Sequence, residues 1–305
     1  MDRKIVCRVL TGPTASGKTG FSLRLAKEKG YDILCMDSMQ IYRGMDIGTA
    51  KPTPDEQKMV QHHLLDMVDP ADGYSAAAYR DAAEELVFRL DDEGKQVLFV
   101  GGTSLYLDAL VHPMAMGNVP ADGKLREELK KQAETVKGRE ELHQMLADID
   151  PETAARLPVN DIRRVIRAIE VTKATGIPFS KQPKRIEESP FIWKIVALMP
   201  DRQKLYDRID QRVREMVEAG LAEEVQRLLD SGVPETAQSM YGLGYKEMIP
   251  YLHGEWDLET ATDKIALGTR HYAKRQVTYL KRFENITFID PFEENAWNQI
   301  KQALE

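Results

Sequence analysis

One octapeptide constrains this 305-residue chain more than any other feature: Gly12-Pro13-Thr14-Ala15-Ser16-Gly17-Lys18-Thr19. It satisfies the phosphate-loop pattern at every fixed position. An apolar strand-like run, Lys4–Leu10, precedes it, and a helical pattern, Lys18–Lys29, follows. That is the context the motif needs. Glycines let backbone N–H groups curl around an anion, and the helix N-terminus adds a favourable partial charge. All eight residues are therefore candidate diphosphate- or nucleotide-binding positions. Lys18 would neutralise the outer phosphate oxygens and the Thr19 hydroxyl would reach Mg2+, making Thr19 the candidate metal position.

The rest of the chain supplies a sheet for that loop. Short apolar runs at Lys4–Leu10, Asp32–Met36, Gln96–Val100, Ile192–Leu198 and Ile286–Ile289 read as strands. Helical patterns separate them at Lys18–Lys29, Ser75–Asp92, Leu125–Val136, Asp161–Thr175, Arg202–Glu218 and Leu258–Phe283. Strands alternating with helices of this length predict a parallel α/β sheet flanked by helices. The alternation fails between about Pro120 and Pro190, where periodicity is helical and no strand is evident. Met116-Gly117-Asn118-Val119-Pro120 and Ser189-Pro190 punctuate its ends. The expected organisation is an α/β core, residues 1–119 and 190–305, carrying an all-helical insertion, residues 120–189.

Composition, 42% hydrophobic and 30% charged, excludes collagen-like and wholly disordered classes. No apolar run approaches the roughly 20 residues of a membrane span. The opening MDRKIVCRVL leads straight into a strand, so no signal peptide is expected. Cys7 and Cys35, the two cysteines, each sit in an apolar run and read as buried thiols of a reducing, cytoplasmic compartment. The net charge of −7 argues against indiscriminate nucleic-acid binding but hides two basic stretches. From Arg156 to Arg185 eight basic residues face only Asp161 and Glu170, a net +6. From Arg270 to Arg282 five basic residues face no acid. Such clusters suit a localised polyanion footprint, or solvated helix faces.

Ligands in open α/β sheets sit beyond the carboxyl ends of the strands. Two further strand ends therefore face the phosphate loop: Asp37-Ser38, and Gly101-Gly102-Thr103. Asp37 reads as a magnesium partner, a general base or a turn residue, and Thr103 also suits the cap of a helix starting at Ser104. His62 and Asp66 share helical spacing, but no further ligand completes a metal signature, so a hydrogen-bonded structural role is expected. Arg163 and Arg167 lie four apart in a helix, as do Arg208 and Arg212; such pairs reach adjacent phosphates or form surface ion pairs. Gly242-Leu243-Gly244-Tyr245-Lys246-Glu247 is a glycine-bracketed turn entering a helix. Arg270-His271-Tyr272-Ala273-Lys274-Arg275-Gln276 mixes cations with aromatics inside a long helix, which suits a nucleic-acid loop.

Taken together these residues resemble the bacterial tRNA dimethylallyltransferases, the isopentenyl (IPP) transferase family. The resemblance runs through Gly12–Thr19, Asp37–Tyr42, Gly48–Pro52, His62–Asp66, Gly101–Tyr106, Asn160–Arg167, Gly242–Glu247 and Thr269–Gln276. It implies a P-loop-type core with a helical insertion, and a channel that admits dimethylallyl diphosphate at one end and a flipped adenosine at the other. It implies transfer of the dimethylallyl group to the exocyclic amine of adenine 37, beside the anticodon of tRNA. Asp37 would then be the general base, with Lys18, Thr19, Arg212 and Mg2+ meeting the leaving diphosphate. Ser38, Met39, Gln40 and Thr103 would grip the adenine, and Arg126 would touch nearby RNA. The same resemblance extends tRNA-facing roles to Asp161, Arg163, Arg164, Arg167, Gly244, Lys246, Arg270, Lys274, Arg275 and Gln276. A monomer is expected. Eukaryotic relatives carry a C-terminal zinc finger whose cysteines this sequence lacks, which points to the compact bacterial type. The competing readings are a P-loop small-molecule kinase using ATP and an RNA-binding GTPase-like switch. The latter would want an Asn-Lys-x-Asp motif that does not occur.

Overall fold

The computed structural model describes residues 4–112, 123–182 and 189–305. The chain divides into two compact units, Met1–Val111 with Ser189–Glu305, and His112–Glu188. In chain order the first unit opens with β1 (Ile5–Thr11), α1 (Lys18–Lys29), β2 (Tyr31–Cys35), α2 (Pro54–Met59), β3 (His62–His63), α3 (Ala76–Asp92), β4 (Gln96–Val100) and α4 (Ser104–Val111). The second unit contains α5 (Gly123–Gln132), α6 (Val136–Ile149), α7 (Pro151–Arg156) and α8 (Ile162–Thr175). The first unit resumes with β5 (Phe191–Leu198), α9 (Arg202–Glu218), α10 (Leu221–Asp230), α11 (Tyr245–Leu252), α12 (Leu258–Leu280), β6 (Ile286–Ile289) and α13 (Ala296–Leu304).

The six strands form one sheet in the order β3-β2-β4-β1-β5-β6, and every pairing is parallel. β1 is central, in register with β4 (Val9↔Phe99) and β5 (Val9↔Ile195). Helices cover both faces, so β1 has no polar–apolar alternation: Cys7, Val9, Leu10 and Thr11 are all fully buried. The carboxyl ends of β1, β2 and β4 deliver the phosphate loop, Asp37-Ser38 and Gly101-Gly102-Thr103 to one edge of the sheet. Among the described residues no helix is long and apolar enough to cross a membrane.

Two local expectations are corrected. The single helix expected over Leu125–Val136 is two, because Thr135 takes an extended backbone and caps α6 by accepting from the Gly138 N–H at 3.0 Å. His62 and His63 are strand, paired with Ile33 and Leu34, so the helical spacing of His62 and Asp66 carries no shared face. His63 Nε2 instead meets Asp32 Oδ2 at 2.9 Å, and Asp66 meets Lys51 Nζ at 2.5 Å. Both cysteines are buried free thiols, and burial pushes Cys7 up to about 12. The punctuation at Met116–Pro120, and Lys184 and Arg185 of the basic window, lie outside the described residues.

Candidate active site

The phosphate loop is shaped by backbone constraints. Gly12 has φ 142°, and a Cβ there would fall 2.5 Å from the Leu198 carbonyl oxygen of β5. Only glycine fits this position. Ala15 adopts a positive φ of 62°, and its carbonyl accepts from Arg208 Nε at 2.8 Å. A second strut comes from α12. Gln276, 4% exposed, accepts from the Thr14 N–H at 2.9 Å through Oε1 and donates to the Gly102 carbonyl at 2.7 Å through Nε2. A Cβ at Gly102 would fall 2.5 Å from that Nε2, so a larger residue there would push the Gln276 amide aside. Both ends of the Gln276 amide thus hold the loop to the β4 turn, and the side chain is buried.

Inside the loop, Lys18 folds its ammonium onto the carbonyls of Gly12 and Pro13, at 3.0 and 2.8 Å. Burial pushes its pKa down to about 7, helped by the Arg212 guanidinium and opposed by the Asp37 carboxylate. Arg212 feels the same Asp37 charge from the other side. Lys18, Arg212 and Asp37, from α1, α9 and the end of β2, thus share one electrostatic field. Arg208 and Arg212 do lie on one face of α9, the first bracing the loop and the second charging its mouth. Ser16 Oγ is buried, 1% exposed, with no hydrogen-bond partner among the described residues. Thr19 is exposed on the first turn of α1.

Asp37 is half-buried, and its Oδ1 accepts from the Met39 N–H at 2.9 Å. The turn reading is therefore correct as far as it goes, and among the described residues Oδ2 has no protein donor. Thr103 Oγ1 accepts from the Ser38 N–H at 2.9 Å and lies 3.2 Å from Ser38 Oγ. Tyr272 of α12 faces the same Thr103 side chain and the Asp37 charge. Burial and the nearby Asp37 charge push Tyr272 up to about 12, so it stays a neutral donor. Sequence reasoning named Tyr272 only as one aromatic in a mixed motif. Its spacing of four from Gln276, placing both on one face of α12, was the available signal. Gln40 is spent internally: Nε2 donates to the Thr49 and Ala50 carbonyls at 3.1 Å each, and Oε1 accepts from Cys35 Sγ at 3.3 Å. Met39 is half-buried against the apolar cluster formed by α9 to α12.

The remaining cationic positions divide by environment. Lys274 and Arg275 are exposed on α12, and with His271, Thr278, Tyr279 and Arg282 they line an open groove of about 630 Å3. Arg270 pairs with Asp210 at 3.0 Å. Gly244 is a buried N-cap of α11 with φ 95°, its N–H donating to Glu247 Oε2, while Lys246 is exposed and 3.4 Å from Glu247 Oε1. In the second unit, Arg126 makes a bidentate pair with Glu170, at 2.8 and 2.6 Å. Glu170 is 2% exposed, and Arg167 stands 3.6 Å from it. Arg126 and Arg167 therefore compensate a buried carboxylate. Arg163 and Arg164 are exposed on α8, with Arg164 3.3 Å from Asp161.

Comparison with known proteins adds one family model and three related proteins. The family model described as IPP transferase matches residues 40–283. A tRNA dimethylallyltransferase of Natranaerobius thermophilus is 42% identical over 283 residues, covering 92% of this chain and 85% of its own. A tRNA isopentenylpyrophosphate transferase from Bacillus halodurans, known as a full-length crystal structure, is 40% identical with a TM-score of 0.72, covering 99% of this chain and 97% of its own. A eukaryotic dimethylallyltransferase seen in crystals acting on tRNA is 25% identical with a TM-score of 0.78, covering 98% of this chain and 77% of its own.

Proposed function

The chain belongs to the IPP transferase family, and on that premise we propose that its phosphate loop serves to hold a leaving group rather than to pass on a phosphoryl group. The protein transfers the dimethylallyl group of dimethylallyl diphosphate to the exocyclic N6 amine of adenine 37 in tRNA, releasing diphosphate. What supports this most directly is the placement of Asp37, at the end of β2, at the same sheet edge as the loop onto which Lys18 is folded, with Arg212 acting on both charges: a proton acceptor near donors for a departing anion.

The adenine amine is a poor nucleophile because its lone pair is delocalised into the ring. As N6 bonds to the first allylic carbon, the carbon–oxygen bond to the diphosphate breaks and the oxygen keeps the electron pair. The amine proton passes to Asp37 Oδ2, the oxygen without a protein donor, a contribution of about 10²–10⁴ in rate. Charge growing on the diphosphate is met by the loop N–H groups, Lys18 and Arg212, all in place before reaction. The unpartnered Ser16 hydroxyl fits an anion acceptor in the same cradle. Ser38 and Thr103 offer hydroxyls to a base edge, and the base must be unstacked to reach them.

Among the described residues no cluster of three or more Asp, Glu, His or Cys could hold a metal ion alone. A hydroxyl donor with an adjacent anion site instead fits Mg2+, which keeps waters and takes ligands from substrate phosphates. Thr19 would hold it, and the ion would neutralise charge on the leaving group. Exposed Arg163, Arg164, Lys246, Lys274 and Arg275 supply phosphate contacts to the anticodon stem-loop, which position RNA without reading its bases. The protein works in the cytoplasm as a monomer.

The deciding experiment incubates the protein with unmodified tRNA and either labelled dimethylallyl diphosphate or labelled ATP. Label and a matching mass increase on adenine 37 are expected with the first donor alone. Phosphoryl transfer from ATP to a small molecule, without prenylation, would replace this reading by the kinase one.

A further inference from the structure

A buried carboxylate outside this machinery controls the loop that carries much of it. Residues 37–51 leave β2 at Asp37 and run without regular structure to Lys51. Irregular segments are usually the mobile parts of a fold, yet this one bears Asp37 and Ser38. Glu224 of α10, 2% exposed, reaches it from below. Its Oε2 accepts from the N–H groups of Asp46 and Ile47, at 3.0 and 2.8 Å. Its Oε1 accepts from the Gly48 N–H at 3.1 Å and from the Tyr245 hydroxyl at 2.6 Å.

A carboxylate offers about four lone-pair directions, and here each has a donor. Among the described residues no cation pairs with Glu224, so its charge is balanced by three successive backbone N–H dipoles and a phenol. Gly48 is bound to this arrangement sterically as well: a Cβ there would lie 2.6 Å from the Tyr245 ring. From the clamped turn the connection runs inward. The carbonyls of Thr49 and Ala50, next along the chain, receive the Gln40 amide, and Gln40 is anchored to Cys35 at the end of β2. A displacement at residues 46–48 is therefore passed to Asp37–Gln40.

We propose that Glu224, with Tyr245, is a positioning residue for the acceptor half of the reaction, a latch that holds the Asp37–Lys51 loop in register for the incoming adenine. The proposal rests on the prenyl-transfer reading above. It gives the Gly242–Glu247 motif an internal function: Tyr245 closes the latch, and the flanking glycines shape the turn that presents it. The phosphate loop shares none of these bonds, so the latch acts on the acceptor and not on the diphosphate.

Glu224→Gln tests this, because an amide nitrogen must face at least one backbone N–H where an oxygen accepted before. Hydrogen exchange at Asp46, Ile47 and Gly48 should accelerate by about 100-fold or more while β1 and β4 amides stay protected. The saturating single-turnover rate with tRNA should fall by about tenfold or more, with Kd for dimethylallyl diphosphate within about twofold of wild type. Tyr245→Phe keeps the ring and removes one bond, so it folds whether or not Glu224→Gln does. It should shift both readouts the same way, by about three- to tenfold in rate. Faster exchange with an unchanged transfer rate in either variant would overturn the proposal, as would an equal loss of diphosphate affinity. A wild-type protein that transfers no prenyl group would overturn the functional reading instead, and shows before any variant is made.

Discussion

The phosphate loop and the Asp37–Lys51 loop leave β1 and β2, two strands separated by β4 in one sheet, and meet at the same edge, but they are held differently. The first is short and carries its shape in its own backbone, with Gly12 and Ala15 at positive φ and Lys18 folded onto its own carbonyls. Gln276 and Arg208 only brace it. The second is longer, and its turns are tied both by its own bonds and by a distant helix. Lys51, donating to the Tyr42 carbonyl and pairing with Asp46 and Asp66, closes it from within. Glu224 fastens it from a helix far along the chain. A loop that binds a chemically constant diphosphate can be a fixed local motif. If the second loop receives a flipped base as proposed, its register has to be set by the surrounding fold, because that register would decide whether Asp37 meets the amine.

The largest effect that separates the two loops is expected from Asp37→Ala. Single-turnover transfer should fall by about 10²–10⁴ with diphosphate and tRNA affinity nearly intact. Near-normal rates with both substrates saturating would remove Asp37 from the role of base. Lys18→Ala should come next, weakening dimethylallyl diphosphate binding and slowing transfer together, by about 10- to 100-fold, because one charge serves ground state and transition state. Its pH dependence sharpens the test. Lys18 sits near 7 in the free protein, so its ammonium is present below that pH and lost above it. Diphosphate favours the protonated form, so wild-type affinity should fall as pH rises through about 7, by at most about tenfold per unit. Lys18→Ala should lack that component, and identical pH profiles for the two proteins would contradict it.

A smaller effect is expected from Gln276→Ala, which leaves the Thr14 N–H and the Gly102 carbonyl without their partner. The loss should be about 1–3 kcal/mol of stability with weaker diphosphate binding. The salt dependence of tRNA affinity should not move; a flatter slope would restore Gln276 to the RNA surface. The smallest effect belongs to the second unit. Arg163→Gln with Arg164→Gln should weaken all substrate tRNAs by a similar few-fold factor and flatten the salt slope by about one to two. A lowered melting temperature with the slope unchanged would make these arginines structural. Arg167 is kept out of this variant because its neighbour Glu170 is buried and leans on it.

Legibility followed the range of the interactions. The phosphate loop, α1, α9 and β4 were readable because strand, glycine spacing and helix period are all local signals. So was the Asp37 turn, whose side chain bonds two residues on. The two-residue β3 was not, since its strand character comes from β2 beside it. Arg126 was read from its place in the resemblance as an RNA contact. Nothing near it announces Glu170, 44 residues away and one helix across.

A phosphate-loop motif at the end of a parallel strand could be read from the sequence by itself, and the ordered motifs pointed to the family. These are properties of short segments, each of which carries its own hydrogen-bonding pattern. Tertiary structure alone decided that Gln276 braces the phosphate loop and that Glu224 captures the N–H groups of Asp46, Ile47 and Gly48. Each of those bonds links positions more than 160 residues apart. A glutamate, glutamine or tyrosine in a helix looks the same in sequence whether it faces water or a buried backbone turn. Only folding brings up the donors and acceptors that distinguish the two.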